Sequence, residues 1–415
     1  MPELDRRIGT ADAVVIGLGA MLGAGVFAAL APAAGAAGSA LLPALALAAV
    51  VAYCNATSSV RLAARHPLSG GTYVYGREQL GAFWGYLAGW AFVVGKTASC
   101  AAMALTVGAY VLPGHARVVA VAAVVALTAV NCAGVRKSAT LTRAIVCVVL
   151  TVLASVAVAA FASGAPDTAR LGAGEDASVH GVLQAAGLLF FAFAGYARVA
   201  TLGEEVRDPA RTIPRAVPVA LGITLAVYAV YAVVAVAALS VLGPGALAAS
   251  GAPLADTVRA AGADGLVPVV RAGAAVAALG SLLALVLAVS RTTLAMARDG
   301  HLPRALAAVH PRFKVPHRAE LTVGAVVSVL VTTADPREAI GFSSFGVLVY
   351  YTLANASAWT LSPTEGRPPR LIPALGLAGC AALASALPLS SVLTVTAVLT
   401  CGTALYATRR AATDV

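Results

Sequence analysis

Apolar residues run through this chain in long blocks, each bounded by a few polar, glycine or proline residues. The blocks fall at approximately 11–37, 40–63, 81–112, 117–134, 143–163, 181–203, 213–242, 266–296, 319–334, 338–360, 371–387 and 389–407. Most reach the roughly 20 residues a helix needs to cross a hydrocarbon core of about 30 Å. The pattern predicts an all-α polytopic membrane protein of about 12 transmembrane helices. A short segment at 1–10 leads into a first set of helices over 11–163, a second set over 181–360, two further helices over 371–407 and a tail at 408–415.

Composition strengthens this reading. Of the 415 residues 60% are hydrophobic and 11% charged, against roughly 25% charged in an ordinary soluble domain. Such a chain cannot cover a water-facing surface, so the lipid bilayer is its expected partner. The net charge of +10 does not mark a nucleic-acid partner, because the basic residues sit in short loops and form no continuous face. The six cysteines lie in or beside apolar segments without a C-x-x-C pair or histidines at ligand spacing, which points to packing rather than metal. Met1 to Thr10 is short and polar, and the block after it is too long for a signal core, so the first span is expected to stay in the protein.

Charge then orients the spans. Alternate loops collect most of the 28 Lys and Arg residues on one side, among them Arg65, Arg77, Arg143, Arg207, Arg298, Arg312, Lys314, Arg367 and Arg409. The other side receives Arg117, Arg170, Arg259, Arg271 and Arg337 together with Asp167, Asp256 and Asp264. The positive-inside rule predicts that both termini are cytoplasmic, and the inner, cytoplasmic membrane is the expected location. Between the eighth and ninth spans, Ala297 to Ala319 is rich in Gly, Pro and charge and predicts a short interfacial helix with turns, with His301 and His310 as solvated loop residues.

Two spans carry interruptions. The first contains Gly17, Gly19, Gly23 and Gly25 within Gly17-Leu18-Gly19-Ala20-Met21-Leu22-Gly23-Ala24-Gly25, and each glycine weakens a helix by about 1 kcal/mol relative to alanine. Unwound backbone in a membrane is tolerated only where it lines a cavity or is buried in protein, and the helix N-terminus beyond it can hold a carboxylate. The other reading of Gly19 and Gly23 is a close-packing G-x-x-x-G pair. The sixth span carries Phe190-Phe191-Ala192-Phe193-Ala194-Gly195-Tyr196-Ala197-Arg198, an aromatic cluster with a glycine and an arginine inside an apolar run. Interrupted helices five spans apart point to a transporter of two inverted five-helix repeats, with substrate between the breaks.

These residues resemble the amino acid–polyamine–organocation permease superfamily over most of the chain. Gly19 to Phe27 is similar to its first-helix signature; Phe190 to Gly195, with Ala200 to Pro209 and Ile213 to Ala216, is similar to its sixth-helix and following-loop signature. Ser290 to Thr292, Met296 to Gly300 and His310 to Phe313 resemble the end of its eighth helix. The resemblance implies a leucine-transporter-type 5+5 inverted repeat with broken helices 1 and 6. It implies further that the substrate carboxylate meets backbone amides around Gly23, Ala24 and Gly25, and that its amino group meets carbonyls near Met21 and from Phe191 through Ala192 and Phe193 to Ala194 and Gly195. Phe191 stands where relatives place an aromatic gate, and Ala91 and Phe92 would face the side-chain pocket. These positions are small or apolar, which favours a neutral or hydrophobic amino acid.

Lys96 lies deep in the third span, too far from either end to reach the interface easily, and an ionisable residue there is a functional candidate. Two roles stand open for it, coupling proton movement to substrate or bonding the carbonyls of a broken helix. Some relatives tie coupling to a lysine in the fifth helix, where this chain has Val149. Arg198 either pairs with Glu204 or Glu205 or binds an acidic substrate group. No nucleotide loop G-x-x-x-x-G-K-[ST] and no H-E-x-x-H or G-x-S-x-G occurs, which argues against a pump or an enzyme. The expected function is a secondary transporter of an amino acid, by proton symport or by exchange of amino acids or amines. No cofactor is expected beyond the proton as coupling ion. A homo-oligomer is compatible with the chain.

Overall fold

Every described element is a helix or a short 3-10 turn, as an apolar chain in lipid requires if its backbone amides are to be bonded. The structure is a computed structural model and describes residues 21–66, 70–134, 139–164, 166–171, 178–193, 195 and 209–413. Helix α1 (Gly25–Ala28) continues through Ala29 into α2 (Leu30–Ala37), and Gly38, at φ 56°, turns the chain into α3 (Leu41–Arg65). A short polar helix α4 (Thr72–Leu80) follows and meets α5 (Ala82–Val111) at Gly81, whose φ of 106° permits the sharp corner. Then come α6 (Ala116–Cys132), α7 (Ala139–Ala162), α8 (Val179–Phe193), α9 (Pro209–Ala249), α10 (Pro253–Ala260) and α11 (Val267–Arg298). The chain ends with α12 (His317–Thr333), α13 (Pro336–Thr360), α14 (Leu371–Ala386) and α15 (Leu389–Thr413).

Among the described residues eight helical stretches are long and apolar enough to cross a membrane, one of them the Leu30–Arg65 stretch that bends at Gly38. Helices α8 and α14 are apolar but shorter. Large apolar side chains also lie exposed on the outer faces, such as Val118 at 67%, Val158 at 66% and Leu389 at 71%. Lipid rather than water is the solvent that suits them.

Helix α5 is the hub, packing against α4, α6, α11, α12, α13 and α15. It meets α13 backbone to backbone: a Cβ on Gly346 would fall 2.9 Å from the Gly95 Cα, and one turn away the Ser99 and Ser343 hydroxyls are 2.5 Å apart. Small residues let membrane helices touch backbone to backbone, and the serine pair adds an interhelical bond. A second polar seam joins α3 to α13: Asn355 donates to Asn55 at 2.6 Å and Ser58 donates to Asn355 at 2.7 Å, all three buried. At its other end α13 starts with Pro336 and a capping box formed by Asp335 and Glu338. In place of the interfacial helix expected between the eighth and ninth spans there is only a 3-10 turn, Arg304–Ala307. Proline at 303 and 311 and glycine at 300 leave too little uninterrupted chain for more.

Candidate functional site

The glycine-rich run leaves helical geometry where the sequence predicts. Met21 is helical, Leu22 and Gly23 leave helical geometry, and from the N-cap Ala24 the helix resumes at Gly25. All of these residues are buried, so the freed backbone groups face protein.

Four helices hold this stretch. Ala24 packs with Val107 of α5 and Ala278 of α11. Gly25 lies against α8, so close that a Cβ would come 2.4 Å from the Ala192 Cα; only glycine admits that approach. Tyr231 of α9 donates its hydroxyl to the Met21 carbonyl at 2.6 Å, and Tyr110 of α5 donates to the Phe27 carbonyl at 3.0 Å. A cavity of about 220 Å³ opens two residues past Gly25, lined by Phe27, Ala31, Thr106, Tyr110, Ser250 and Arg337 among others.

The structure thus brings Met21, Gly23, Ala24 and Gly25 together with Ala192 and Phe193. Helix α8 ends at Phe193, and Phe191, Ala192 and Phe193 are buried at its tip, with Gly195 partly buried beyond them. Of the interruption predicted at Ala192 to Ala197, Ala192 and Phe193 are still helical, so the helix runs two residues further than expected; apart from Gly195 the rest falls outside the described residues, as do Arg198, Glu204, Glu205 and the first part of the glycine run.

The other two expected pocket residues, Ala91 and Phe92, are buried on α5. Ala91 packs with Val395 and Leu399 of α15, and the Phe92 ring lies 5.2 Å from that of Tyr350 on α13. Val107 and, beside it, Met103 are positions of α5 that reach Ala24. Ala91 is 16 residues from Val107, about 24 Å along a helix.

Lys96 is buried, 7% exposed. Positions 96, 100, 103 and 107 fall on one stripe of a helix, so Lys96 lies on the face that carries Val107, about 16 Å further down the axis. Cys100, between them, packs among α6, α11 and α12. The lysine therefore shares a helix face with the contact to Ala24. Glu320 of α12 is the other buried charged side chain among the described residues. Sequence reading missed it because it is the fourth residue of its helix, where it passes for part of the polar loop. Tyr231 and Tyr110 were missed as well, since nothing near either in the chain marks a distant carbonyl as its partner.

An all-helical, membrane-crossing chain with a buried, interrupted helix clamped among its neighbours has the architecture of a membrane carrier. Comparison with known families makes the class specific: residues 8–413 match the amino acid permease family. The chain belongs to this family, within the amino acid–polyamine–organocation superfamily, and is a transporter rather than an enzyme. It is similar to an uncharacterized transporter of Mycobacterium tuberculosis, 73% identical over 411 residues that cover 99% of this chain and 93% of the relative. It is also similar to cationic amino acid transporter 4 of Homo sapiens, 28% identical over 88% of this chain and 61% of that one. A branched-chain amino acid permease of Bacillus subtilis is 25% identical over 92% of this chain and 88% of the relative.

Proposed function

We propose that this transporter moves an amino acid across the cytoplasmic membrane by alternating access, with both termini in the cytoplasm. The observation that carries the reading is the unwound stretch at Leu22 and Gly23, buried and pressed against the tip of α8. On this reading twelve spans form two inverted five-helix repeats followed by two peripheral helices, and the substrate sits where the interrupted first and sixth helices meet. Its carboxylate takes the backbone amides of Gly23, Ala24 and Gly25, where a helix N-terminus favours negative charge. Its ammonium takes the Met21 carbonyl and carbonyls at the end of α8. Relatives named for branched-chain and for cationic amino acids support an amino acid as cargo, and the apolar lining supports a neutral one.

Purified protein in liposomes, screened for uptake of the common amino acids with and without a pH gradient, tests this. Uptake of at least one amino acid, stimulated by an inward proton gradient, is expected. Accumulation of none under any gradient or counter-load would overturn the reading, and uptake that needs a counter-substrate but no gradient would make the protein an exchanger.

Lys96 is the coupling residue on this reading. It lies on the same stripe of α5 as the contact to Ala24, and a buried ammonium is costly to keep charged without a reason. Lys96→Met is expected to abolish the response of uptake to pH while exchange of internal for external substrate survives. Uptake with an unaltered pH profile would remove Lys96 from the mechanism.

A further inference from the structure

The link between α13 and α14 gathers positive charge beside a lipid-facing helix. Residues 362–370 and the neighbouring end of α3, residues 61–66, hold the arginines Arg61, Arg65, Arg367 and Arg370 and a single acid, Glu365. Both oxygens of that carboxylate are taken, one by Arg65 at 2.8 Å and the other by the Ser362 amide at 2.9 Å. Glu78 of α4 is paired with Arg77. The side chains of Arg61, Arg367 and Arg370 make no ion pair or hydrogen bond among the described residues.

The turn that carries two of these arginines is closed by its own bonds. Ser362 and Glu365 form a capping box, Gly366 reverses the chain at φ 80°, and the Arg367 amide returns to the Ser362 carbonyl at 3.4 Å. A Cβ on Gly366 would lie 4.0 Å from Arg61 Nη1, so the guanidinium of α3 reaches this turn. Arg370, the residue before α14, holds its guanidinium carbon 5.9 Å from the Trp359 ring centroid. Trp359, near the end of α13, is 43% exposed, and tryptophan collects at the level of lipid headgroups. Directly after Arg370, Leu371 is 67% exposed and Leu375 47%, one turn apart on the same face of α14.

We propose that this corner, where α14 packs on α3 and α13, is a docking surface for one anionic phospholipid, with its phosphate on Arg61, Arg367 and Arg370 and an acyl chain along Leu371 and Leu375. Charge complementarity names the occupant. A guanidinium presents paired N–H donors that match two phosphate oxygens, and no carboxylate is at hand to compete for them. A zwitterionic headgroup brings an ammonium of its own to the same place and gains less. A soluble phosphate would satisfy the arginines and leave the two leucines uncovered. The surface is independent of which amino acid the protein carries.

The experiment follows thermal melting and lipid retention by native mass spectrometry, using the full chain purified in detergent. Its probes are phosphatidylglycerol, phosphatidylcholine with the same acyl chains, and inorganic phosphate. Wild type should retain phosphatidylglycerol in preference to phosphatidylcholine and melt higher with it, whereas inorganic phosphate should give no such rise. The triple variant Arg61→Gln, Arg367→Gln, Arg370→Gln should melt like wild type without added lipid, because none of the three side chains is bonded, and should lose the preference. Arg370→Gln alone should weaken phosphatidylglycerol binding about fivefold, the worth of one basic residue at an anionic surface. A control, Arg304→Gln, Arg312→Gln, Lys314→Gln, removes as much charge from the loop after α11 and should behave as wild type.

Equal retention of the two lipids by wild type, or an equal loss of preference in both triple variants, would overturn the proposal. So would a rise in melting with inorganic phosphate that matches the rise with phosphatidylglycerol, since the ligand would then be a free anion. Should the first triple variant purify poorly, Arg370→Gln decides alone, unchanged phosphatidylglycerol binding counting against the surface. The transport reading stands whichever result is found.

Discussion

Gly25 shows how one residue can carry the site. It is the first residue of α1, where alanine would ordinarily strengthen a helix by up to about 1 kcal/mol. Its Cβ position is nonetheless occupied by the Ala192 backbone, 2.4 Å away. Overpacking of this kind costs roughly 1–3 kcal/mol, and the clash is with main chain that cannot rotate aside. Gly25→Ala is therefore expected to lower the melting temperature and to abolish uptake, the reverse of what helix propensity alone predicts. Wild-type melting and uptake in G25A would mean that α1 and α8 do not touch. The interruption itself was legible in the sequence, because four glycines in nine positions disfavour helix locally. Its clamps were not: the hydroxyl of Tyr110 finds a carbonyl 83 residues away and that of Tyr231 one 210 residues away. Such bonds depend on which helices become neighbours, and no local pattern records that.

At the scale of elements, the end of the bundle near α4 is tied together by one polar and aromatic cluster. The Tyr73 hydroxyl of α4 donates to Asp299 at the end of α11, Arg77 of α4 pairs with Asp299 at 3.3 Å, and Tyr73 lies 3.0 Å from His301 Nδ1. The His301 ring packs 5.3 Å from Tyr86 of α5 and 5.6 Å from Tyr406 of α15, measured between centroids. His301 was expected to be a solvated loop residue; the rings of three helices enclose it, because the turn after α11 folds back onto α4 and α5 rather than into solvent. Burial lowers its pKa below the ordinary 6.5; Asp299 opposes this, and Arg77 and Arg409 reinforce it. The folded protein thus holds His301 neutral where the unfolded chain would bind a proton. Its contribution is complete above pH 6.5 and is lost progressively as pH falls below that value. Melting temperature should decline between pH 7.5 and 5.5, and His301→Gln should make the decline shallower. Because His66 is shifted the same way by its own burial, the informative quantity is the difference between the two profiles; superimposable profiles would show that His301 takes no part.

At the scale of the whole molecule, the loop charges and the packing agree on which ends of helices belong together. Arg65 at the end of α3 bonds Glu365 after α13 at 2.8 Å, Arg77 reaches Asp299 after α11, and Arg409 near the end of α15 donates to the Gly300 carbonyl at 3.1 Å. These contacts gather the chain segments richest in arginine at one end of the bundle, the grouping that alternate loops predict. At the other end Arg170 donates to the Val241 carbonyl at 2.6 Å and Arg337 to the Ala248 carbonyl. Both cations are held by carbonyls of α9, Arg170 just before its kink at Gly243 and Arg337 at its end. The number of spans was legible less securely than their sidedness, since α8 and α14 are short and α12, with its buried Glu320, reads as only marginally apolar. Lipid discriminates charge more sharply than it does helix length. The arginine-rich end is therefore expected to face the cytoplasm. In a background with Cys147 and Cys401 replaced, both being exposed, Thr168→Cys should react with a membrane-impermeant maleimide in intact cells, whereas Arg304→Cys should react only once the cells are permeabilised. The opposite pattern would invert the molecule in the membrane, and labelling of both positions in intact cells would place the two loops on the same side, contrary to the packing that separates them.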